Sequence, residues 1–215
     1  MAFIVQEMDE VQACGADRRE DRRRAILDAA EALFLDQGFE RTSLAAIVKC
    51  SGGSLATLYE HFSNKRGLLR AVLDRRRDEN LDDHARLIDA AADPADALRA
   101  LAHWIHDYFI DPRSVAMMRI MIGESLRDPQ FARDLHRDVH LVHVHKLAEV
   151  FRRWTAEGKA RFEDADAAAE LYFATVMCNA ELNAMLDAKS RDAVAASRAQ
   201  IEWRLEPFLA YFLTP

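Results

Sequence analysis

The 215-residue sequence is poor in chain breakers, with seven glycines and five prolines, under half of the roughly 12 % these two residues make up on average. Turns are therefore few and elements long. No run alternates apolar and polar residues as a strand does, and an all-α chain of about nine helices is expected. Cysteine is scarce too: Cys14, Cys50 and Cys178 are odd in number and share no C-x-x-C spacing, which excludes a disulfide framework and a zinc ribbon. No stretch approaches the roughly 18 apolar residues that span a bilayer, and Glu7, Asp9 and Glu10 make the start acidic before a signal-peptide core can form. A soluble, cytoplasmic protein without a membrane partner is expected. The sequence also lacks G-x-S-x-G, H-E-x-x-H, a P-loop and a dinucleotide fingerprint, so neither an enzyme nor a bound cofactor is expected. Against these absences, half of the residues are apolar and 30 % charged, a composition that buries a core rather than staying disordered.

The formal net charge of −7 speaks against nonspecific coating of nucleic acid, but the charge is unevenly divided. Residues 1–16 hold three acids and no base. Residues 17–77 hold 13 Lys or Arg against 9 Asp or Glu, and residues 78–215 hold 16 against 24. A compact basic segment before a larger acidic one points to an N-terminal module that faces phosphates and a second module that does not.

Helix signals follow in series. Ile26, Leu27, Ala30, Leu33 and Phe34 form one stripe of a helix over 22–37, with Gly38 as its stop. Thr42 or Ser43 caps a short helix from Leu44 to Lys49. After Cys50-Ser51-Gly52-Gly53, Ser54 caps another from Leu55 to Phe62. Two short helices joined by a glycine turn are a helix-turn-helix candidate. A fourth helix begins at Ser63 and enters the charged stretch Asp74–Glu79, the bridge between modules. Asp93-Pro94 and Asp128-Pro129 are cap-and-proline starts, the second opening a long helix to Glu157 before Gly158. Further helices are expected over 113–126, from Asp164 to about Asp187, and from Arg191 to about Leu213. The expected domains are a flexible N-terminus at 1–17, a helix-turn-helix domain at 18–75 and a helical domain at 76–215.

Leu58 and Phe62 lie four residues apart and should pack inward on Ile47 and Leu33 or Phe34, leaving Leu55, Ala56, Thr57, Tyr59 and Glu60 toward a DNA groove. Thr42, Ser54, Tyr59, His61 and Lys65 are short donors or a cation near helix starts, suited to phosphate oxygens. The competing reading is that Thr42 and Ser54 only cap helices and Tyr59 only packs. Residues Thr42 to Phe62, with Thr57-Leu58-Tyr59-x-His61-Phe62 followed by Lys65, resemble the DNA-binding domain of the TetR family of regulators. The resemblance covers about residues 20–75. It implies backbone contacts to double-stranded operator DNA from positions matching these residues. This sequence departs from the family pattern at Gly53, where an aliphatic residue normally packs the turn, so a looser turn is expected. Between Leu55 and Phe62 there is no Arg, Lys, Asn or Gln, the bidentate readers of bases. Base reading then falls to Thr57, Tyr59 and apolar contacts. Arg18, Arg19, Arg22, Arg23 and Arg24 read equally as a phosphate-gripping arm or as a solvated charge run.

The stretch Arg119–Ser125, with Asp128-Pro129-Gln130-Phe131, Gly158 and Ala167–Ala169, resembles AefR-like C-terminal domains. For the TetR family this implies a domain that binds a small effector and dimerises through its last two helices, hence a homodimer on a palindromic operator. Leu171, Thr175, Cys178 and Leu182 follow one helical face, and Ile201, Leu205, Phe208, Leu209 and Phe212 another. A dimer seam or a single-chain core would use the same stripes. Trp104, Tyr108, Met118, Met121, Phe151, Phe173 and Met177 are candidates for an apolar pocket. His136, His140 and His143 fall within about 60° on one helical face. They read as polar lining of that pocket, as ordinary histidines with partners, or as ligands of a metal sensor, although no carboxylate or thiolate partner is identifiable. The expected function is a ligand-released DNA-binding repressor, with a metal-binding helical protein as the alternative.

Overall fold

The structure, a computed structural model, describes the backbone of residues 2–177 and 191–214 and the side chains of residues 18–177 and 199–214. The described residues are helical throughout apart from connections, with one isolated antiparallel bridge between Ala160 and Leu213. The chain divides into two compact units, Met1–Arg75 and Arg76–Pro215.

The first unit begins with α1 (Ala2–Gln37). The helix expected from Arg22 thus extends through the segment expected to be a flexible N-terminus. No proline stands within it, and Gly15 is its sole glycine, a cost of about 1 kcal/mol that a long helix absorbs. Helix α2 (Leu44–Ser51) starts where the Ser43 hydroxyl accepts from the Ala46 amide, and α3 (Leu55–His61) where the Ser54 hydroxyl accepts from the Thr57 amide. Ile26, Leu27 and Phe34 of α1 are buried with Ile47 and Leu58. They form a small core in which truncating Leu58 to alanine costs about 2–5 kcal/mol. Helix α4 (Lys65–Ala90) closes this core with Leu68, Leu69 and Val72 and continues unbroken past Arg75.

The second unit is built on cap-and-proline starts. Asp93 caps α5 (Pro94–Ile110), and Asp111 both ends α5 and caps α6 (Pro112–Arg127). Asp128 accepts two amides at the start of α7 (Pro129–Leu135). The long helix expected from here runs to Ala156 but is not uniformly α-helical. His136–His140 form a π-helical turn before α8 (Leu141–Ala156), a distortion that recurs at functional sites. Helices α9 (Ala165–Met177) and α10 (Arg191–Phe212) complete the unit. Its core centres on Phe151, stacked on Phe162 at 4.0 Å between centroids, and on Tyr172, whose hydroxyl donates to the Leu98 carbonyl at 2.6 Å. Ile201, Leu205, Phe208 and Leu209 belong to this core, and Phe212 packs against it. Of the two readings of the α10 stripe, the structure takes the single-chain one. Cys178 and Leu182, expected on the same seam, lie outside the described residues, as does the side chain of Cys14.

Candidate functional site

The turn between α2 and α3 is set by Gly52 and Gly53, with φ of +76° and +92°, a region that side-chain-bearing residues rarely enter. The missing aliphatic side chain at Gly53 does not leave the turn unpacked. Arg22 donates from Nη1 to the Ser51 carbonyl at 3.2 Å, and its stem and guanidinium lie 3.6–3.7 Å from where a Gly53 Cβ would stand. Arg23 sits over the Phe62 ring at 5.6 Å. Two of the five clustered arginines are thus turned onto the fold from a helix, while Arg18, Arg19 and Arg24 are exposed.

Beyond the turn, Leu58 and Phe62 point inward and Ser54, Leu55, Ala56, Tyr59 and Glu60 outward. Leu55 is 42 % and Tyr59 52 % exposed, placed for apolar contact with base methyls. The Ser54 hydroxyl also pairs with that of Thr57 at 3.0 Å. His61 is half-buried beside Phe62. Two expected phosphate contacts are placed differently. Thr42 is interior, its hydroxyl donating to the carbonyls of Leu33 and Gly38 at 3.1 and 2.9 Å. Lys65 Nζ donates to the carbonyls of Glu40 and Thr42 at 3.1 and 2.9 Å and lies 4.5 Å from the Phe39 ring centroid. Both hold the α1–α2 connection together, because its carbonyls have no helical partner.

In the second unit a cavity of about 400 Å³ opens among α4, α5, α6, α7, the π turn, α8 and α9. Trp104, Tyr108, Met118, Met121, His136, His140, His143, Phe173 and Met177 all line it. Phe151 does not: it is fully buried between Phe162 and Tyr172, because its position on α8 faces the core. The stacked rings of Trp104 and Tyr108, 5.3 Å apart, form an aromatic wall. His84, Asn80 and Ser114 also line the cavity, and sequence reasoning misses all three. His84 lies in the charged run Asp82-Asp83-His84-Ala85-Arg86, and the signal that could have found it is the stripe Leu81, Ala85 and Ile88 on the same helical face.

The His84 and His143 rings are 5.2 Å apart, and His136 and His140 make a second pair at 5.4 Å. Burial pushes His84 down to about 3, helped by His143 and opposed by Asp83. Burial, His140 and Arg77 push His143 down to about 4, against Asp78. His140 is lowered by burial and by His136 and opposed by Glu170. At neutral pH the inner pair is therefore uncharged. Among the described residues no group of three or more His, Cys, Asp or Glu is placed to hold a metal ion, so the metal reading has no geometric support. No helix of the described residues is long and apolar enough to cross a membrane.

Two family models match the chain. One, of bacterial regulatory proteins of the tetR family, covers residues 26–72. The other, the C-terminal domain of AefR-like transcriptional repressors, covers residues 96–213, more than half of the sequence. The HTH-type transcriptional repressor ComR of Escherichia coli is 55 % identical over 53 residues, 25 % of each chain, so the match spans only a quarter of ComR. The HTH-type transcriptional regulator TtgR of Pseudomonas putida is 28 % identical over 174 residues, 74 % of this chain and 79 % of TtgR. The crystal structure of a TetR-family regulator from Mesorhizobium loti shares the fold with a TM-score of 0.82 at 24 % identity, over 92 % of this chain and 99 % of that one.

Proposed function

The chain belongs to the TetR family of bacterial transcription regulators, which are DNA-binding proteins rather than enzymes, and from that premise we propose that it is a repressor released from a palindromic operator by a small amphipathic effector. The observation that carries this reading is the outward face of α3. Leu58 and Phe62 anchor the helix while Ser54, Leu55, Ala56, Thr57, Tyr59 and His61 form its accessible side and ends. In this assignment Ser54 and His61 meet phosphates, and Leu55, Ala56, Thr57 and Tyr59 meet base edges. Thr42 and Lys65 act at one remove by fixing the α1–α2 connection.

A palindrome needs two copies of α3 about one DNA turn apart, roughly 34 Å, hence a homodimer. An apolar surface for it lies on the last two helices described. Leu171 of α9 and Tyr211 of α10 border one shallow groove, and Trp203, two turns before Tyr211, is 77 % exposed. Exposed large side chains on neighbouring helices are what an isologous interface buries. On α10, Trp203 lies opposite to Ile201, Leu205, Phe208 and Leu209, and Tyr211 to their side.

Effector action follows from a population shift. A ligand that fills the cavity favours whichever dimer conformation forms the cavity best, and the operator is released when that conformation spaces the two α3 helices wrongly. DNase I footprinting on the DNA upstream of the protein's own coding sequence tests the proposal. The expected result is one protected, imperfectly palindromic site that is lost when an effector is added; protection without sequence preference would overturn it.

A further inference from the structure

Asn80, Ser114 and four histidines give the cavity lining its polar groups, and among these His84 and His143 each carry a buried nitrogen that is unsatisfied. His84 Nε2 and His143 Nδ1 are both shielded from solvent and have no hydrogen-bond partner. Both rings line the 400 Å³ cavity and also an adjoining one of about 140 Å³, so they form a wall common to the two. Buried polar atoms without a partner are uncommon and costly. The torsion that turns an imidazole is broad, so a modest ring rotation presents either nitrogen to the cavity.

Each neutral imidazole has one N–H and one bare nitrogen. A hydroxyl answers both kinds through one oxygen, donating its proton to a bare nitrogen and accepting an N–H. An ether or ketone only accepts. A carboxylate also only accepts, and it brings a charge that the cavity does not balance: among the described residues lining it there is no Lys, Arg, Asp or Glu. The nearby cations have partners of their own: Arg76 donates to the hydroxyl of the cavity-lining Ser114 and lies over the Tyr108 ring; Arg77 donates to the Asp138 carbonyl and pairs with Asp78. Burying an unbalanced charge is far more costly than burying a hydroxyl. The rest of the lining supplies an aromatic wall, Trp104 and Tyr108, faced by methionines that adapt to ring shape.

We infer that the effector is an uncharged hydroxylated aromatic molecule, its ring against Trp104 and Tyr108 and its hydroxyl held between His84 and His143. The inference rests on the ligand-released regulator reading for its biological meaning, but its chemistry is tested separately. Isothermal titration of the full-length protein at neutral pH would compare 4-phenylphenol with two molecules of the same ring system, 4-methoxybiphenyl and biphenyl-4-carboxylate. The phenol is expected to bind about tenfold tighter than the ether, the worth of a net hydrogen bond, and the carboxylate weakest. In His84→Phe and His143→Phe the phenol's advantage over the ether should fall to within about threefold, with the ether's own affinity little changed.

A carboxylate that binds tighter than the phenol would overturn the assignment, as would no binding of any of the three at millimolar concentration. So would a tenfold phenol preference that survives in both folded variants. Should either variant fail to fold, the ranking of the three compounds on the unaltered protein decides. A phenol that binds with the expected ranking but leaves the operator complex intact would sink the ligand-release reading and leave the hydroxyl site standing. Release by the carboxylate alone would do the reverse.

Discussion

Arg22 of α1 donates to the carbonyl of Ser51 at 3.2 Å, and this one contact ties the first helix of the DNA-binding unit to the turn that aims its recognition helix. The guanidinium occupies the side of the turn that Gly53 leaves bare. Restoring a side chain at Gly53 therefore does not stabilise the turn, since φ there is +92°. Gly53→Ala is expected to lower stability by about 1–2 kcal/mol, read as a shift of the denaturant midpoint. A midpoint that rises instead would show that the turn wants the aliphatic residue.

Lys65→Met separates holding the fold from holding DNA. Its ammonium donates to two backbone carbonyls, and charge-assisted bonds of this kind are worth about 1.5–3 kcal/mol each. The variant should lose about 2 kcal/mol or more of stability while the slope of log affinity against log salt stays the same. A slope reduced by about one with stability intact would place Lys65 on a phosphate instead.

These two sites also mark what a sequence carries and what it does not. The helix starts were legible where Ser43, Ser54, Asp93, Asp128 and Asp164 cap them through local hydrogen bonds, because local bonds leave local signals. The outward face of α3 followed from the four-residue spacing of Leu58 and Phe62. The direction of the Thr42 hydroxyl did not, because Leu33 and Gly38 accept it across a loop whose course the sequence does not state. The partners of His84 were illegible for a similar reason: only the packing of α4 beside α5 and α8 sets its ring against Trp104 and His143. The α10 stripe suited a core and a seam equally, and tertiary packing alone decided between them.

Trp203→Glu and Tyr211→Glu test the dimer seam. Both side chains are exposed in the single chain, so neither change should disturb its own core, whereas a carboxylate buried without a partner in an isologous contact is strongly unfavourable. Sedimentation equilibrium is expected to give a dimer for the unaltered protein and a single-chain mass for the double variant, with helical content unchanged. A double variant that remains dimeric would move the interface elsewhere.

Acid should weaken the second unit through its inner histidines. His84 and His143 are held down to about 3 and about 4, while in the unfolded chain they take protons near 6.5. Below about pH 6.5 the unfolded state binds more protons, so stability falls as pH drops toward 4 and levels only below the folded values. His84→Phe should flatten part of that slope in thermal melts between pH 7 and 4. A slope identical to that of the unaltered protein would mean that His84 titrates normally.

The central claim, sequence-specific DNA binding by an outward α3 without strong base readers, is tested most directly by fluorescence anisotropy. The purified protein would be titrated onto its own upstream duplex and onto a scrambled duplex of equal length, each across a series of salt concentrations. The account predicts a steep salt dependence on both duplexes, with the upstream DNA retaining tighter binding at every salt and losing that preference in Tyr59→Ala. Equal affinity for the two duplexes at all salt concentrations, unchanged by Tyr59→Ala, would contradict it.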